Sequence, residues 1–122
     1  MFRKSLIALA ALALAVSAAH ASNAVTVGKL LQLCNAASDS TDSFYCFGFI
    51  SGVGGVLQVQ SHLVDENMNP VPNKTKTCIP EFITSDQLVQ VFRNWAERNP
   101  KDWSWAATVG VMNALNETWP CK

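Results

Sequence analysis

Few residues in this chain have the type and spacing to do chemistry. They are four cysteines (Cys34, Cys46, Cys78 and Cys121), a histidine at 62, the adjacent carboxylates Asp65 and Glu66, and a glycine-rich run at Gly52 to Gly55. Nucleophilic catalysis needs a thiol or hydroxyl held beside its base. His62 is the sole histidine after residue 21, and an even set of cysteines in a small exported chain reads as two disulfides. Zinc is the rival for the cysteines, but such sites carry close ligand pairs such as C-x-x-C, and none occurs here. Paired-carboxylate chemistry needs groups opposed across a cleft, which neighbours in a polar stretch do not provide. The glycines lie inside an apolar run rather than ahead of a helix, so they do not form a phosphate-binding loop. These patterns predict no catalytic residue, no metal site and no cofactor. They point to a binding protein rather than an enzyme.

The elements that must position these residues begin after a leader. Arg3 and Lys4 precede an unbroken apolar run, Leu6 to Val16, and Ala19-His20-Ala21 is a small-residue cleavage site. That is the three-part pattern of a secretory signal peptide, too short to span a membrane. Residues 1–21 are therefore expected to be removed, leaving one exported domain, 22–122. Of the nine basic residues two lie in the leader, so seven remain against nine acidic ones. A net charge of −2 supplies no basic patch for displacing counterions, which excludes nucleic acid as a partner.

Apolar periodicity predicts about four helices and no sheet, an all-α bundle. Thr26 caps a first helix with Val27, Leu30, Leu31 and Cys34 on one face. Asn35 to Ser43 is a polar turn, and Asp42 or Ser43 caps a second helix running from Phe44 to His62 or Val64. Asp65 to Thr77, with two prolines and three asparagines, is a long irregular loop. Thr84-Ser85-Asp86-Gln87 is a capping box for a third helix with Leu88, Val91, Phe92 and Trp95 inward, stopped at Asn99-Pro100. A fourth helix begins between Asp102 and Ser104 and carries Trp105, Val109, Met112 and Leu115 toward the core. Trp119 follows, with Pro120 as its stop.

The layout favours Cys34–Cys46, closing the first hairpin, and Cys78–Cys121, closing the second. A tilted helix would instead bring Cys34 to Cys121. In the central helix Gly48, Gly52 and Gly55 lie at i, i+4 and i+7, on one face. Each glycine costs about 1 kcal/mol relative to alanine in a helix, so the expectation is that this face lets a neighbouring helix approach closely and that Gly52→Leu unfolds the domain.

Two surfaces are candidates for binding a partner. One is the long loop, through Asp65, Glu66, Asn67, Asn69, Asn73, Lys74 and Lys76. The other is the turn after the third helix, through Asn99, Lys101, Asp102 and Trp103. A loop with reach and polar groups suits the blocking of a cleft, and an exposed tryptophan suits a binding hot spot.

The ordered set Leu31 to Cys34, Cys46-Phe47-Gly48-Phe49-Ile50-Ser51-Gly52, Cys78-Ile79-Pro80, Gln87-Leu88 and Ala114 to Cys121 resembles the Rap/Tai family. Those are immunity proteins that protect bacteria against type VI secretion amidase effectors. Phe49 stands where the family more often shows Tyr. The resemblance implies an all-helical periplasmic protein, often a homodimer. It would bind a peptidoglycan amidase and block its active-site cleft without catalytic residues of its own. A reading from another class is a periplasmic acid-stress chaperone, also small, helical and disulfide-bonded. Only nine acidic groups make a charge-driven acid switch the weaker of the two.

Overall fold

The chain is described from a computed structural model over residues 24–72 and 75–122; the predicted leader lies outside the described residues. Four α-helices form: α1 (Val27–Cys34), α2 (Thr41–Ser61), α3 (Ser85–Arg98) and α4 (Ala107–Thr118), with a 3-10 turn at Pro100–Asp102 between the last two. Among the described residues there is no strand, only isolated bridges at Thr26↔Ala106, Val64↔Pro70 and Thr77↔Pro120. The all-α expectation holds.

Two of the four helix starts fall where the sequence places them. Thr26 Oγ1 accepts from Lys29 N at 3.2 Å. The capping box of α3 is complete, with Gln87 N donating to Thr84 Oγ1 and Thr84 N donating to Gln87 Oε1 at 2.8 Å. The cap of α2 is Ser40, two or three residues earlier than the predicted Asp42 or Ser43. Ser40 Oγ accepts from Ser43 N, and the Ser43 hydroxyl donates back to the Ser38 and Ser40 carbonyls. These bonds explain the shift: the Ser43 hydroxyl is turned back onto carbonyls of the preceding turn, and Ser40 Oγ is the group left to accept from the first helical turn. The last helix starts later than predicted. Pro100 forces a 3-10 turn, and Trp103 and Trp105 give their carbonyls to Gly28 N and Val27 N before α4 begins.

The core joins Val27, Leu30, Leu31 and Leu33 of α1 to Ile50 and Leu57 of α2, Leu88, Phe92 and Trp95 of α3, and Val111 and Leu115 of α4. Both favoured disulfides are present, with Cα separations of 5.1 Å for Cys34–Cys46 and 4.9 Å for Cys78–Cys121. The second is zipped by backbone bonds, Cys78 N to the Trp119 carbonyl and Cys121 N to the Lys76 carbonyl.

The glycine expectation is overturned. A Cβ at Gly48, Gly52 or Gly55 would meet nothing within 4 Å. The buried positions of α2 are Cys46, Ile50, Gly54 and Leu57. At 100° per residue these lie on the side opposite Gly48 and Gly52. The glycines that do permit close approach are others. A Cβ at Gly54 would sit 2.6 Å from Leu88 Cδ1, and one at Gly110 would run into Val27 and Trp95. The inward face of α4 is corrected for the same reason. Trp105, Val109 and Met112 are exposed, while Ala107, Gly110, Val111, Ala114 and Leu115 are buried. Small residues let α4 sit close to α1 and α3, and a reading weighted by side-chain size puts the wrong face inward.

Candidate functional site

Among the described residues no group of three or more His, Cys, Asp or Glu is placed to hold a metal ion. His62 is exposed and ends α2, its backbone N donating to the Val59 carbonyl. The cysteines are all paired. What the molecule presents instead is surface, in four places.

The first is the segment after α2, which is more ordered than its composition suggested. Val71 N donates to the Leu63 carbonyl, Asp65 N donates to the Asn69 carbonyl, and Met68 N donates back to the Asp65 carbonyl, which closes a small hairpin. Asp65 organises it. Its Oδ1 accepts from both Asn67 N and Asn69 N at 2.9 Å. Those backbone donors stabilise the carboxylate and hold its pKa below the ordinary 3.8. The turn closes through Met68 at φ 64, the left-handed region, and leaves that side chain 76% exposed at the tip. Asp65, Glu66, Asn67 and Asn69 are thus brought together on one exposed hairpin. Lys76 is separate from it: its carbonyl holds Cys121, so it belongs to the C-terminal clasp. Asn73 and Lys74 lie outside the described residues.

The second surface is the turn between α3 and α4. Here two candidates have structural work rather than an open face. Asn99 Nδ2 donates to the Trp95 carbonyl at 2.8 Å and closes the end of α3. Asp102 is buried at 7% exposure. Lys101 is exposed. Trp103 is anchored through Nε1 to the Ala96 carbonyl, yet it keeps 43% of its surface open. Trp105, expected in the core, is equally open at 44%.

The third surface is apolar and uncharged. It combines Gly52, Val56 and Val59 of α2 with Thr108 and Met112 of α4. A groove of about 410 Å³ runs between the two helices, lined in part by Gly52, Val56, Thr108 and Met112.

The fourth is a groove of about 390 Å³ beside the Cys34–Cys46 bridge, where Phe44 and Phe47 of α2 face Asp86, Val89 and Arg93 of α3. Sequence periodicity treats Phe44 and Phe47 as part of a long apolar run and Arg93 as a residue merely off the core face. Neither signal brings them together. Their meeting is set by the way α3 lies across α2, with Leu88 against Gly54.

Comparison with known proteins gives one result. No curated protein and no solved structure matches the chain. A family model described as Rap1a immunity proteins matches residues 26–121. The match runs from the cap of α1 through both disulfides, across the whole bundle, and by it the chain belongs to the Rap1a immunity protein family.

Proposed function

We propose that this chain is a periplasmic immunity protein that binds a type VI secretion effector, a peptidoglycan amidase, and blocks its active-site cleft without turning over any substrate itself. The observation that carries the reading is the family match over residues 26–121, since members of an immunity family act by binding a cognate effector. The Asp65 hairpin supports the blocking role. Its turn is fixed by side-chain-to-backbone bonds, so it presents polar groups and Met68 with little ordering left to do on binding. Export is supported by the signal-peptide pattern at 1–21 and by two disulfides, which persist in oxidising compartments.

A homodimer is part of the same reading. No Asp, Glu, Lys or Arg occurs between Asp42 and Asp65. A helix apolar on every side is normally buried on every side, yet α2 leaves Val56 and Val59 about 60% open. A second copy seated on this uncharged face, with the open glycines at the contact, would cover it while the protein waits for its target.

The test is co-expression. Each product of the genes flanking this one is directed to the periplasm of a host cell, with and without this protein. The expected outcome is that one of them lyses the cells, that this protein restores growth, and that the two copurify in fixed stoichiometry. If none of them forms a complex, and the protein instead suppresses aggregation of unfolded clients at acid pH, the chaperone reading replaces this one.

A further inference from the structure

We propose that the Cys78–Cys121 bridge is a redox-sensitive latch: a dithiol opens it in the folded protein, while Cys34–Cys46 stays closed and the four helices stay packed. The inference is independent of the immunity reading and rests on where the two bridges lie.

Cys34 and Cys46 are 8% and 2% exposed and belong to the core. They form part of the floor of the groove between α2 and α3, beneath Phe44, Phe47 and Val89. Cys78 is exposed and Cys121 half-buried. Both lie outside the helices, Cys78 before α3 and Cys121 after α4. Thiol–disulfide exchange requires a thiolate to reach a disulfide sulfur, so its rate depends on access. Burial bars the first bridge and leaves the second open. Charge acts in the same direction. Lys122 follows Cys121 directly, and the Lys76 carbonyl accepts from Cys121 N at 3.0 Å, so two exposed lysines flank the second bridge. Beside the first, Arg93 is offset by Asp86. An anionic thiolate is steered to the lysines.

The exchange balances between the dithiol and the bridge. One thiolate of the dithiol attacks a bridge sulfur, the S–S bond breaks, a mixed disulfide forms, and the other cysteine leaves as a thiolate. The dithiol's second thiolate then attacks its own sulfur in the mixed disulfide and displaces the first cysteine. Two electrons and two protons pass to Cys78 and Cys121, and the dithiol ends as a cyclic disulfide. What the step releases is local. The bridge secures a clasp in which Cys78 N donates to the Trp119 carbonyl and Cys121 N to the Lys76 carbonyl. Thr77 and Ile79 are buried on either side of Cys78 and keep the chain entering α3 anchored to the core. Opening therefore frees residues 120–122 and leaves the bundle in place.

The test is timed reduction of the oxidised protein with dithiothreitol, quenched with iodoacetamide, with the labelled cysteines located by peptide mass spectrometry. Cys78 and Cys121 are expected to label together, about tenfold or more faster than Cys34 and Cys46. A doubly labelled species should accumulate and keep the helical circular dichroism of the original, with faster hydrogen exchange at the Cys78 and Cys121 amides. The same reaction in urea that unfolds the chain should bring the two rates together, which ties the difference to the fold. Simultaneous labelling of all four cysteines in the native protein, earlier labelling of Cys34 and Cys46, or loss of the helical spectrum in the doubly labelled species overturns the latch. A difference of the same size in urea overturns it too, because burial would then not be its cause.

Discussion

Alanine placed at Gly52 and at Gly110 tests which glycines hold this bundle together. Both positions lie inside helices, so both substitutions gain the same helix propensity, about 1 kcal/mol. They differ only in what the new methyl meets. At Gly52 it meets nothing within 4 Å, so the propensity gain stands alone. For a domain of roughly 100 residues 1 kcal/mol corresponds to about 4–8 °C, and Gly52→Ala is expected to raise the midpoint by that amount. At Gly110 the methyl runs into Val27, which is fully buried and stiff at χ1, and it lies 3.2 Å from Trp95 Cζ3. Overpacking of this kind costs about 1–3 kcal/mol, enough to cancel the propensity gain or reverse it. The difference between the two variants therefore isolates close packing. It should be about 1–3 kcal/mol, with Gly52→Ala the more stable.

The assay is urea unfolding of the oxidised domain, followed by circular dichroism at a concentration where its mass in solution is that of one chain. Equal slopes for the two variants would show that their midpoints report stability. A monomeric Gly52→Ala protein less stable than the original would refute the reasoning, because the glycine face would then be packed within the chain. Gly52→Leu extends the test. It should keep the helical spectrum of the original, against the unfolding expected from sequence alone, while its bulk prevents a second copy from seating on α2. A folded Gly52→Leu protein that still forms dimers would remove this face as the dimer contact.

Two further outcomes follow from the loops. Asp65 titrates below its ordinary 3.8 because Asn69 N and Asn67 N bond its charged form. A carboxylate with a depressed folded pKa stabilises the fold above its unfolded pKa and loses that contribution as pH falls through the folded value. The amide resonances of Asn67 and Asn69 should therefore shift together on acidification with a common midpoint below 3.8; a common midpoint above that value would contradict the carboxylate's role. The disulfides should differ in weight. Their sequence separations of 12 and 43 residues correspond to loop-closure contributions of about 3 and 4 kcal/mol. Replacing Cys78 and Cys121 together by alanine should cost more stability than replacing Cys34 and Cys46, and urea midpoints in the reverse order would show that the chain-entropy account does not apply here.

Features set by local chemistry were legible in the residues, and features set by how helices lie on one another were not. Thr26 and the Thr84–Gln87 box announce their helices because a cap is a bond between residues three apart. The disulfide pairing was accessible because hairpin ends must meet. The faces of α2 and α4 were not. Both were assigned by size or by spacing: Gly48, Gly52 and Gly55 at helical intervals, and Trp105, Val109 and Met112 likewise. Yet the spacing of glycines says only that a smooth face exists, not that anything inside the chain fills it. Gly54, outside that series, lies against Leu88, and Gly110 lies under Val27 and Trp95. The smooth face of α2 is left outside instead. A glycine costs stability in any exposed helix that does not use it. Three of them, set among valines with no charge nearby, raise the same question outside the fold that they first raised within it: which backbone comes close. Nothing within the chain comes within 4 Å of that face, and a bulky residue at Gly52 tests a second copy as the neighbour separately from the stability of the bundle.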